Sequence, residues 1–214
     1  MTKAFISFHH SNDQEYKDHL SWLADEFDCF ENTSVGVGDI EDDGRSSEKI
    51  RQLIRDYYLR DTEVVILLCG KETRDRKYVD WELKSAMINT QLNRKSGILV
   101  INLPGVAAST TWTAALPDEK KMIYPDYTGG YVNYDKKSQY EQQYPLMPPR
   151  IVDNLLNPKV QMSVVPWERI EKEPHKLKWL VDKTSSVAKT NEYDLRRPMR
   201  RRNHSRYSSF DLTA

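Results

Sequence analysis

The sequence lacks the features that define several large classes of protein. Two cysteines, Cys29 and Cys69, among 214 residues are too few for a disulfide framework. No apolar stretch approaches the roughly 20 residues that are needed to cross a bilayer, and the segment MTKAFISFHH does not have the composition of a secretory signal. We therefore expect a cytoplasmic protein that makes no contact with a membrane.

The sequence also lacks the motifs of metal sites and of phosphate-binding glycine loops. The five histidines are scattered, without paired cysteines or a His-Glu-x-x-His spacing, so no metal site is expected. There is no Walker loop, and the GVGD segment at Gly36–Asp39 lacks the third glycine of a dinucleotide fingerprint. Ser7 lies inside a predicted strand and not on a nucleophile elbow, which argues against a hydrolase triad. The sequence thus predicts no bound cofactor.

The formal net charge of zero conceals an asymmetry between the body of the chain and its end. Residues 196–214 contain six arginines and one aspartate, a net charge of +5. The remaining residues carry 26 bases and 31 acids, a net charge of −5. A body with this balance is not typical of proteins that bind a phosphate backbone, so nucleic acid is not an expected partner.

Short apolar runs alternate with segments of helical spacing, which predicts an α/β fold. The predicted strands are Ala4–Phe8, Cys29–Phe30, Val64–Cys69 and Ile98–Leu103. Helices are predicted to begin near residues 11–13, at residue 46 or 47, and shortly before Glu82, the last of these continuing to about Asn93. Such alternation favours a central parallel sheet with helices on both faces, in which the loops that follow the strands lie along one edge.

The apolar pattern weakens after Gly105 and divides the chain into three parts. Residues 1–105 form the predicted core domain. Residues 106–195 form a mainly helical or irregular extension, with a predicted short helix at 151–156, a strand at 162–165 and a helix from Pro174 to about Lys189. Residues 196–214 contain almost no core-forming side chains and are predicted to be a basic, disordered tail.

One acidic residue follows the most continuous apolar strand at the position where open α/β sheets bind ligands. Val64–Cys69 ends at Gly70, and after a polar loop a helix carries Asp80, Trp81 and Glu82. Ligands of such sheets bind beyond the carboxyl ends of the strands, which makes Glu82 the candidate catalytic residue. The spacing alone also fits a solvated acid that is favoured by the helix dipole, and this alternative stays open.

Two segments resemble the bacterial TIR-like family of the Thoeris anti-phage defence systems. The first is AFISFHHSND, and the second runs from the VGVGD loop through VVILLCG to KYVDWELKSAM. The likeness covers residues 3–103. Its ordered parts are a strand that ends in SFH, a strand that ends in an apolar residue followed by Cys-Gly, and a helix that opens with [RK]-x-V-x-W-E.

The resemblance implies a flavodoxin-like TIR fold and an NAD-consuming enzyme. Members of the family cleave the bond between nicotinamide and ribose and convert the ADP-ribose part into a signalling nucleotide that activates a separate effector protein. NAD is then a substrate and not a cofactor. The family's catalytic glutamate corresponds to Glu82, and its aromatic-His segment corresponds to Phe8 and His9. Active sites of the family are often completed by a second subunit, which implies a homo-oligomer.

Further substrate-binding roles follow from this chemistry. Phe8 or Trp81 would stack on nicotinamide or adenine, and His9 would donate a hydrogen bond to a phosphate or a ribose hydroxyl. Arg74 and Lys77, with the neighbouring Arg76, are the predicted phosphate ligands. Asp80 should face a different direction from Glu82 on the helix and is a secondary candidate. The acidic loop at residues 39–43 is predicted to serve self-association or gating.

Two other functions compete with the enzyme hypothesis. A catalytically silent TIR scaffold would bind partners or copies of itself through the acidic loop, independently of Glu82. A nucleotide-binding sensor related to response-regulator domains is the weaker alternative, because the expected cluster of aspartates does not follow the first strand.

Overall fold

Five parallel strands form the centre of the protein. The structure, a computed structural model, describes residues 1–34, 46, 49, 52–90, 94–106, 112–115, 118–125 and 132–203. The strands are β1 (Lys3–Ser7), β2 (Glu31–Asn32), β3 (Val64–Cys69), β4 (Gly97–Asn102) and β5 (Ser163–Pro166). They lie in the order β2-β1-β3-β4-β5, and every neighbouring pair is parallel. This is the order of flavodoxin-like sheets.

The two central strands are apolar because both of their faces are covered. All six residues of β3 and all six of β4 are buried, and the two strands pair in register from Val64 opposite Gly97 to Cys69 opposite Asn102. Strands that are buried on both faces have continuous apolar sequences without alternation. The predicted strand Val64–Cys69 is confirmed with the same bounds.

Besides a helical segment that ends in the π-helical turn Ile54–Tyr58, six α-helices in the described part of the chain cover the sheet. They are α1 (His10–Glu26), α2 (Lys77–Ala86), α3 (Glu119–Ile123), α4 (Lys137–Gln143), α5 (Pro149–Leu155) and α6 (Pro174–Ala188). One hydrophobic cluster joins α1 and α6 to residues such as Ile6, and a second joins α2, α4 and α5 to residues such as Phe5. Ile6 and Phe5 are adjacent in β1 and point to opposite faces, as successive strand residues do.

The region after residue 105 belongs to the same sheet. β5 pairs with β4 as its fifth strand, and α6 packs across β4. A Cβ atom at Gly97 would lie 2.4 Å from the carbonyl oxygen of Thr184, so glycine permits this close approach of α6. The predicted strand near residues 162–165 and the predicted helix from Pro174 are both confirmed, with small shifts in their bounds.

Several predicted boundaries differ from those observed. The second strand comprises Glu31–Asn32 and lies just after the predicted Cys29–Phe30. The helix that carries Glu82 ends at Ala86 and not near residue 93. The helix predicted from residue 46 or 47 ends in a π-helical turn, Ile54–Tyr58. The acidic loop at residues 39–43 lies outside the described residues. Within the described ranges, no helix combines the length and the apolar character that crossing a membrane requires.

Residues 195–203, which we call the C-terminal strap, are held against α2 and α5, whereas the sequence predicts a disordered tail from Arg196 onward. Lys84 donates hydrogen bonds to the carbonyl oxygens of Leu195 and Arg197 at 3.0 and 2.9 Å. The Arg197 guanidinium pairs with Asp153 at 2.6 Å. Met199 and Leu195 also pack on the hydrophobic cluster that joins α2, α4 and α5. Contacts of residues 196–203 with main-chain carbonyls, ion pairs and a few apolar side chains leave no periodic pattern in the sequence. Residues 204–214 lie outside the described part of the chain.

Candidate active site

The topology of the sheet defines where a ligand crevice lies. In the order β2-β1-β3-β4-β5, the connection from β1 leads to one side of the sheet and the connection from β3 leads to the other side. The switch point therefore lies between β1 and β3. Ligands of open α/β sheets bind beyond the carboxyl ends of the strands at such a switch point. β1 ends at Ser7 and leads into α1, while β3 ends at Cys69 and leads through a polar loop into α2. The site described below lies at this end of the sheet.

Glu82 lies in the second turn of α2 and faces β1. Its Oε2 accepts a hydrogen bond from the Ser7 Oγ at 2.6 Å, and the two residues are 9% and 1% exposed. Ser7 alternates with Ile6 along β1, so its side chain points to the face that α2 covers. Burial raises the pKa of Glu82 to about 7, and the Ser7 hydrogen bond opposes this rise because it stabilises the carboxylate.

A cavity of about 160 Å³ borders the Glu82 side chain. It is lined by Phe5, Ile6, Phe8, His10, Gln14, Lys17, Ser34 and Glu82. The rings of Phe8 and His10 lie 4.3 Å apart between centroids. The volume is below the roughly 300–1,000 Å³ of typical small-molecule sites. The enclosed space therefore accommodates one ring-sized part of a larger ligand.

The structure brings His10, rather than His9, to this cavity. His9 is not among the described residues that line it. The Nδ1 atom of His9 is buried and has no hydrogen-bond partner among the described residues. Burial, together with the nearby charges of Arg76 and His10, lowers the pKa of His9 to about 4. His9 is therefore neutral at physiological pH, and Phe8 and His10 carry the aromatic-His segment to the cavity.

Trp81, Arg74 and Lys77, the other predicted substrate-binding residues, contact other parts of the chain. Trp81 is 3% exposed and donates its indole N–H to the carbonyl oxygen of Arg200 at 2.7 Å. Arg74 donates to the carbonyl oxygen of Pro145 at 2.6 Å. The Lys77 ammonium lies over the Trp81 ring, 5.2 Å from its centroid. None of the three is among the described residues that line the cavity. Consecutive helix residues differ by about 100° in direction, which separates Trp81 from Glu82.

The Asp80 carboxylate binds other parts of the chain and does not face the cavity beside Glu82. Its carboxylate accepts two hydrogen bonds from the guanidinium of Arg150, at 2.9 and 3.0 Å, and a third from the backbone N–H of Arg200 at 2.8 Å. Arg150 is fully buried. Asp80 and Glu82 therefore face different surroundings, as their spacing predicts.

A buried carboxylate joins the two loops that frame the crevice. Asp13, in the first turn of α1, accepts a hydrogen bond from the Thr73 hydroxyl at 3.4 Å, and the same hydroxyl accepts the Gly70 N–H at 2.9 Å. A Cβ atom at Gly70 would lie 2.2 Å from an Asp13 oxygen, so this approach requires glycine. Burial raises the pKa of Asp13. The Asp13–Thr73–Gly70 contact fixes α1 relative to the end of β3.

Other parts of the described chain offer weaker candidates for a site. A larger cavity of about 480 Å³ lies at the amino ends of the strands, and charges of both signs line it. It is remote from the edge at which sheets of this type bind ligands. No group of three or more metal-ligating side chains occurs among the described residues. The cavity beside Glu82 thus has the strongest combination of position and chemistry.

Sequence reasoning missed several residues that surround Glu82. From the sequence, Ser7 is excluded as a nucleophile and has no other assigned role, although a serine within an apolar strand signals a polar partner on the covering helix. His10, Gln14 and Lys17 recur at the i, i+4, i+7 spacing of one helix face, a signal that is visible in the sequence. Ser34 has no such signal; its hydroxyl accepts the Ile6 N–H at 2.6 Å.

The five-stranded parallel sheet, with helices on both faces and a buried glutamate on the helix after β3, defines a flavodoxin-like α/β domain of the TIR type. Residues 5–108 match the family model of the Thoeris protein ThsB, TIR-like domain. This segment, just under half of the chain, belongs to the Thoeris TIR-like family, and the match supports a role in Thoeris defence. The matched segment includes Ser7, α1 and Glu82, whereas β5 and α6 lie beyond it. No protein matched in the comparison with curated proteins.

Proposed function

We propose that this protein cleaves the bond between nicotinamide and ribose in NAD, with Glu82 as the catalytic residue. The ADP-ribose part is then converted into a signalling nucleotide, a cyclic isomer or a conjugate of ADP-ribose, which activates a separate Thoeris effector. The observation that carries the proposal is the buried Glu82 carboxyl group, which Ser7 holds at the border of the cavity. A carboxylate that is withdrawn from water at a ligand crevice is typical of a functional residue.

The chemistry requires few groups from the protein. When the C1′–N bond breaks, its electron pair neutralises the positive nitrogen of nicotinamide, which leaves without a proton. The ribose becomes an oxocarbenium-like cation, and the Glu82 carboxylate stabilises the developing positive charge. A nucleophile then attacks C1′. Water would give ADP-ribose and a proton, whereas a nitrogen of the adenine ring would give a cyclic product.

The size and lining of the cavity fit the reacting end of NAD. About 160 Å³ holds a nicotinamide ring or its ribose, but not the whole dinucleotide. The adjacent rings of Phe8 and His10 offer an aromatic surface for a flat heterocycle. The rest of the substrate must extend out of the cavity, and assembly into a homo-oligomer would supply further contacts there.

A catalytically silent scaffold is the second candidate function. Trp22 and Phe27 are 53% and 48% exposed, and their rings contact each other edge to face, with centroids 5.9 Å apart. Exposed aromatic side chains that cluster in this way favour a protein-binding surface. A scaffold would retain partner binding and defence when Glu82 is replaced, which separates it from the enzyme.

The test of the proposal compares the products formed from NAD by three proteins. Lysates of cells that express the wild type, Glu82→Gln or Glu26→Gln, with and without phage challenge, are analysed by liquid chromatography and mass spectrometry. We expect Glu82→Gln to lose nicotinamide release by on the order of 10³-fold, since glutamine keeps the shape but not the charge. Glu26 is an exposed acid at the end of α1 and serves as the matched control.

Nicotinamide and an ADP-ribose-derived species that appear with the wild type and with Glu26→Gln alone would support the enzyme. Equal NAD consumption by wild type and Glu82→Gln would contradict the assigned role. Unchanged NAD in every sample, with folded protein and a phage that triggers the system, would favour the scaffold.

The rate of NAD cleavage should increase with pH, because the active form of Glu82 is the deprotonated carboxylate. Because the pKa of Glu82 is about 7, we expect kcat/KM to increase as the pH rises from 6 to 8, with the midpoint near 7. Ser7→Ala removes the hydrogen bond that favours the charged form and should move the midpoint to higher pH. A rate that falls over the same interval would instead indicate that the protonated acid is the active form.

A further inference from the structure

The polar face of α1 lies beside Glu82 and is unassigned. His10, Gln14 and Lys17 all line the cavity, and they occur at i, i+4 and i+7, so they form one row along the helix. The row extends about 10 Å, at 1.5 Å per residue. Its members present a ring N–H, an amide and an ammonium, each of which donates hydrogen bonds. Such a row suits a ligand that lies lengthwise along α1 and carries acceptor oxygens.

Charge considerations single out Lys17. A pyrophosphate carries two negative charges, and it must lie near the Glu82 carboxylate, so a positive side chain is needed beside it. Among the described residues that line the cavity, Lys17 is the one that carries a permanent positive charge. The sequence-based candidates Arg74 and Lys77 face the Pro145 carbonyl and the Trp81 ring instead.

The present partner of Lys17 is weak enough to be exchanged. Its ammonium lies 3.4 Å from Asp18 Oδ1, and the Gln14 amide donates to the same oxygen at 2.9 Å. The Asp18 side chain is 61% exposed, and ion pairs at such exposed positions contribute little free energy. Lys17 and Gln14 can therefore turn from Asp18 to an incoming phosphate.

We propose that Lys17, together with Gln14, binds the pyrophosphate of the dinucleotide substrate and sets the selectivity for phosphate-bearing ligands. This inference rests on the proposed function for the identity of the substrate. The proposal places the phosphate contact on α1. The sequence analysis places it instead on the loop before α2, at Arg74 and Lys77. Asp18 competes with the phosphate for Lys17, so its carboxylate limits the affinity.

The experiment measures ligand binding in the Glu82→Gln background, in which turnover cannot interfere. Calorimetric titrations with ADP-ribose and with nicotinamide compare four proteins: Glu82→Gln alone and combined with Lys17→Met, Lys189→Met or Asp18→Asn. Lys189 is an exposed lysine at the opposite end of the sheet, so its replacement controls for net charge. We expect Lys17→Met to weaken ADP-ribose binding about 10-fold, in the range of a charge-assisted hydrogen bond.

The same titrations give three further expectations. Lys17→Met should leave nicotinamide binding unchanged, Lys189→Met should affect neither ligand, and Asp18→Asn should tighten ADP-ribose binding. If Lys17 had a purely structural role, Lys17→Met would not weaken ADP-ribose binding while Asp18→Asn tightens it. Equal ADP-ribose affinity with Lys17 and with methionine would overturn the assignment, as would the absence of ADP-ribose binding up to about 1 mM. If ADP-ribose binding depends on Lys17 but the wild type leaves NAD intact, the binding site stands and the proposed reaction fails.

Discussion

Replacing Glu82 with glutamine is expected to stabilise the fold at pH 8 by about 3 kcal/mol. The pKa of this group rises from 4.5 to about 7 on folding because burial disfavours the charge. The folded protein therefore holds a proton that the unfolded chain has released over this interval. Stability decreases as the pH rises from about 4.5 to 7, and the full cost of the buried carboxylate is present above that range. Glutamine bears no charge and avoids this cost.

Urea unfolding at two pH values measures the effect. The stabilisation by Glu82→Gln should be about 3 kcal/mol at pH 8 and below about 1 kcal/mol at pH 5, where the wild-type carboxyl is protonated. Glu26→Gln, at an exposed position, should show no such pH dependence. A Glu82→Gln protein that is equally or less stable than the wild type at pH 8 would refute a buried, destabilising carboxylate. A residue that costs stability at a crevice is kept for its function.

Arg150→Met is expected to destabilise the protein by about 3–5 kcal/mol. The guanidinium is completely buried and makes two hydrogen bonds to Asp80. It also donates to the carbonyl oxygens of Arg197 and Pro198, both at 3.1 Å. Methionine fills much of the same volume but leaves the Asp80 carboxylate buried without its main partner. Most of the expected loss comes from this unpaired charge and not from the missing attraction.

A double replacement separates these two contributions. Asp80→Leu combined with Arg150→Met removes both charges, and we expect it to recover most of the stability that Arg150→Met loses. The matched control is Arg196→Met, because Arg196 also pairs with an aspartate but its side chain is 91% exposed; it should change the urea midpoint little. If the double variant is no more stable than Arg150→Met, the ion pair is not the source of the loss.

The fold could be predicted from the sequence where burial leaves a continuous pattern. β3 is apolar at every position because both of its faces are covered, and its bounds were predicted correctly. Helix α6 was predicted from Pro174 and its apolar spacing. Short or edge elements were less accurate, since β2 has two residues and one exposed position. Few residues and partial exposure leave little periodicity to detect.

Site predictions that depend on local geometry agree with the structure, whereas those that depend on contacts between residues far apart in sequence do not. The topology predicts that Glu82 lies near the crevice, and in the structure its side chain points to the cavity there. Trp81 and Arg74 are near Glu82 in sequence, but contacts with the C-terminal strap and with Pro145 turn them away. Those contacts join residues more than 70 positions apart, for which one sequence contains no signal. Lys17 belongs to another helix and lines the same cavity as Glu82 only in the folded protein, so the sequence does not single it out.

The way in which the C-terminal strap is held has a consequence for its tolerance of sequence change. Arg150, Lys84 and Trp81 all bind carbonyl oxygens of the strap, and Asp80 accepts one of its backbone N–H groups. Carbonyl and amide groups are the same in nearly every amino acid. New side chains in the strap can therefore leave these four bonds in place, whereas the ion pair of Arg197 with Asp153 depends on the side chain. A proline at position 200 would be the exception, since it would remove the N–H that Asp80 binds.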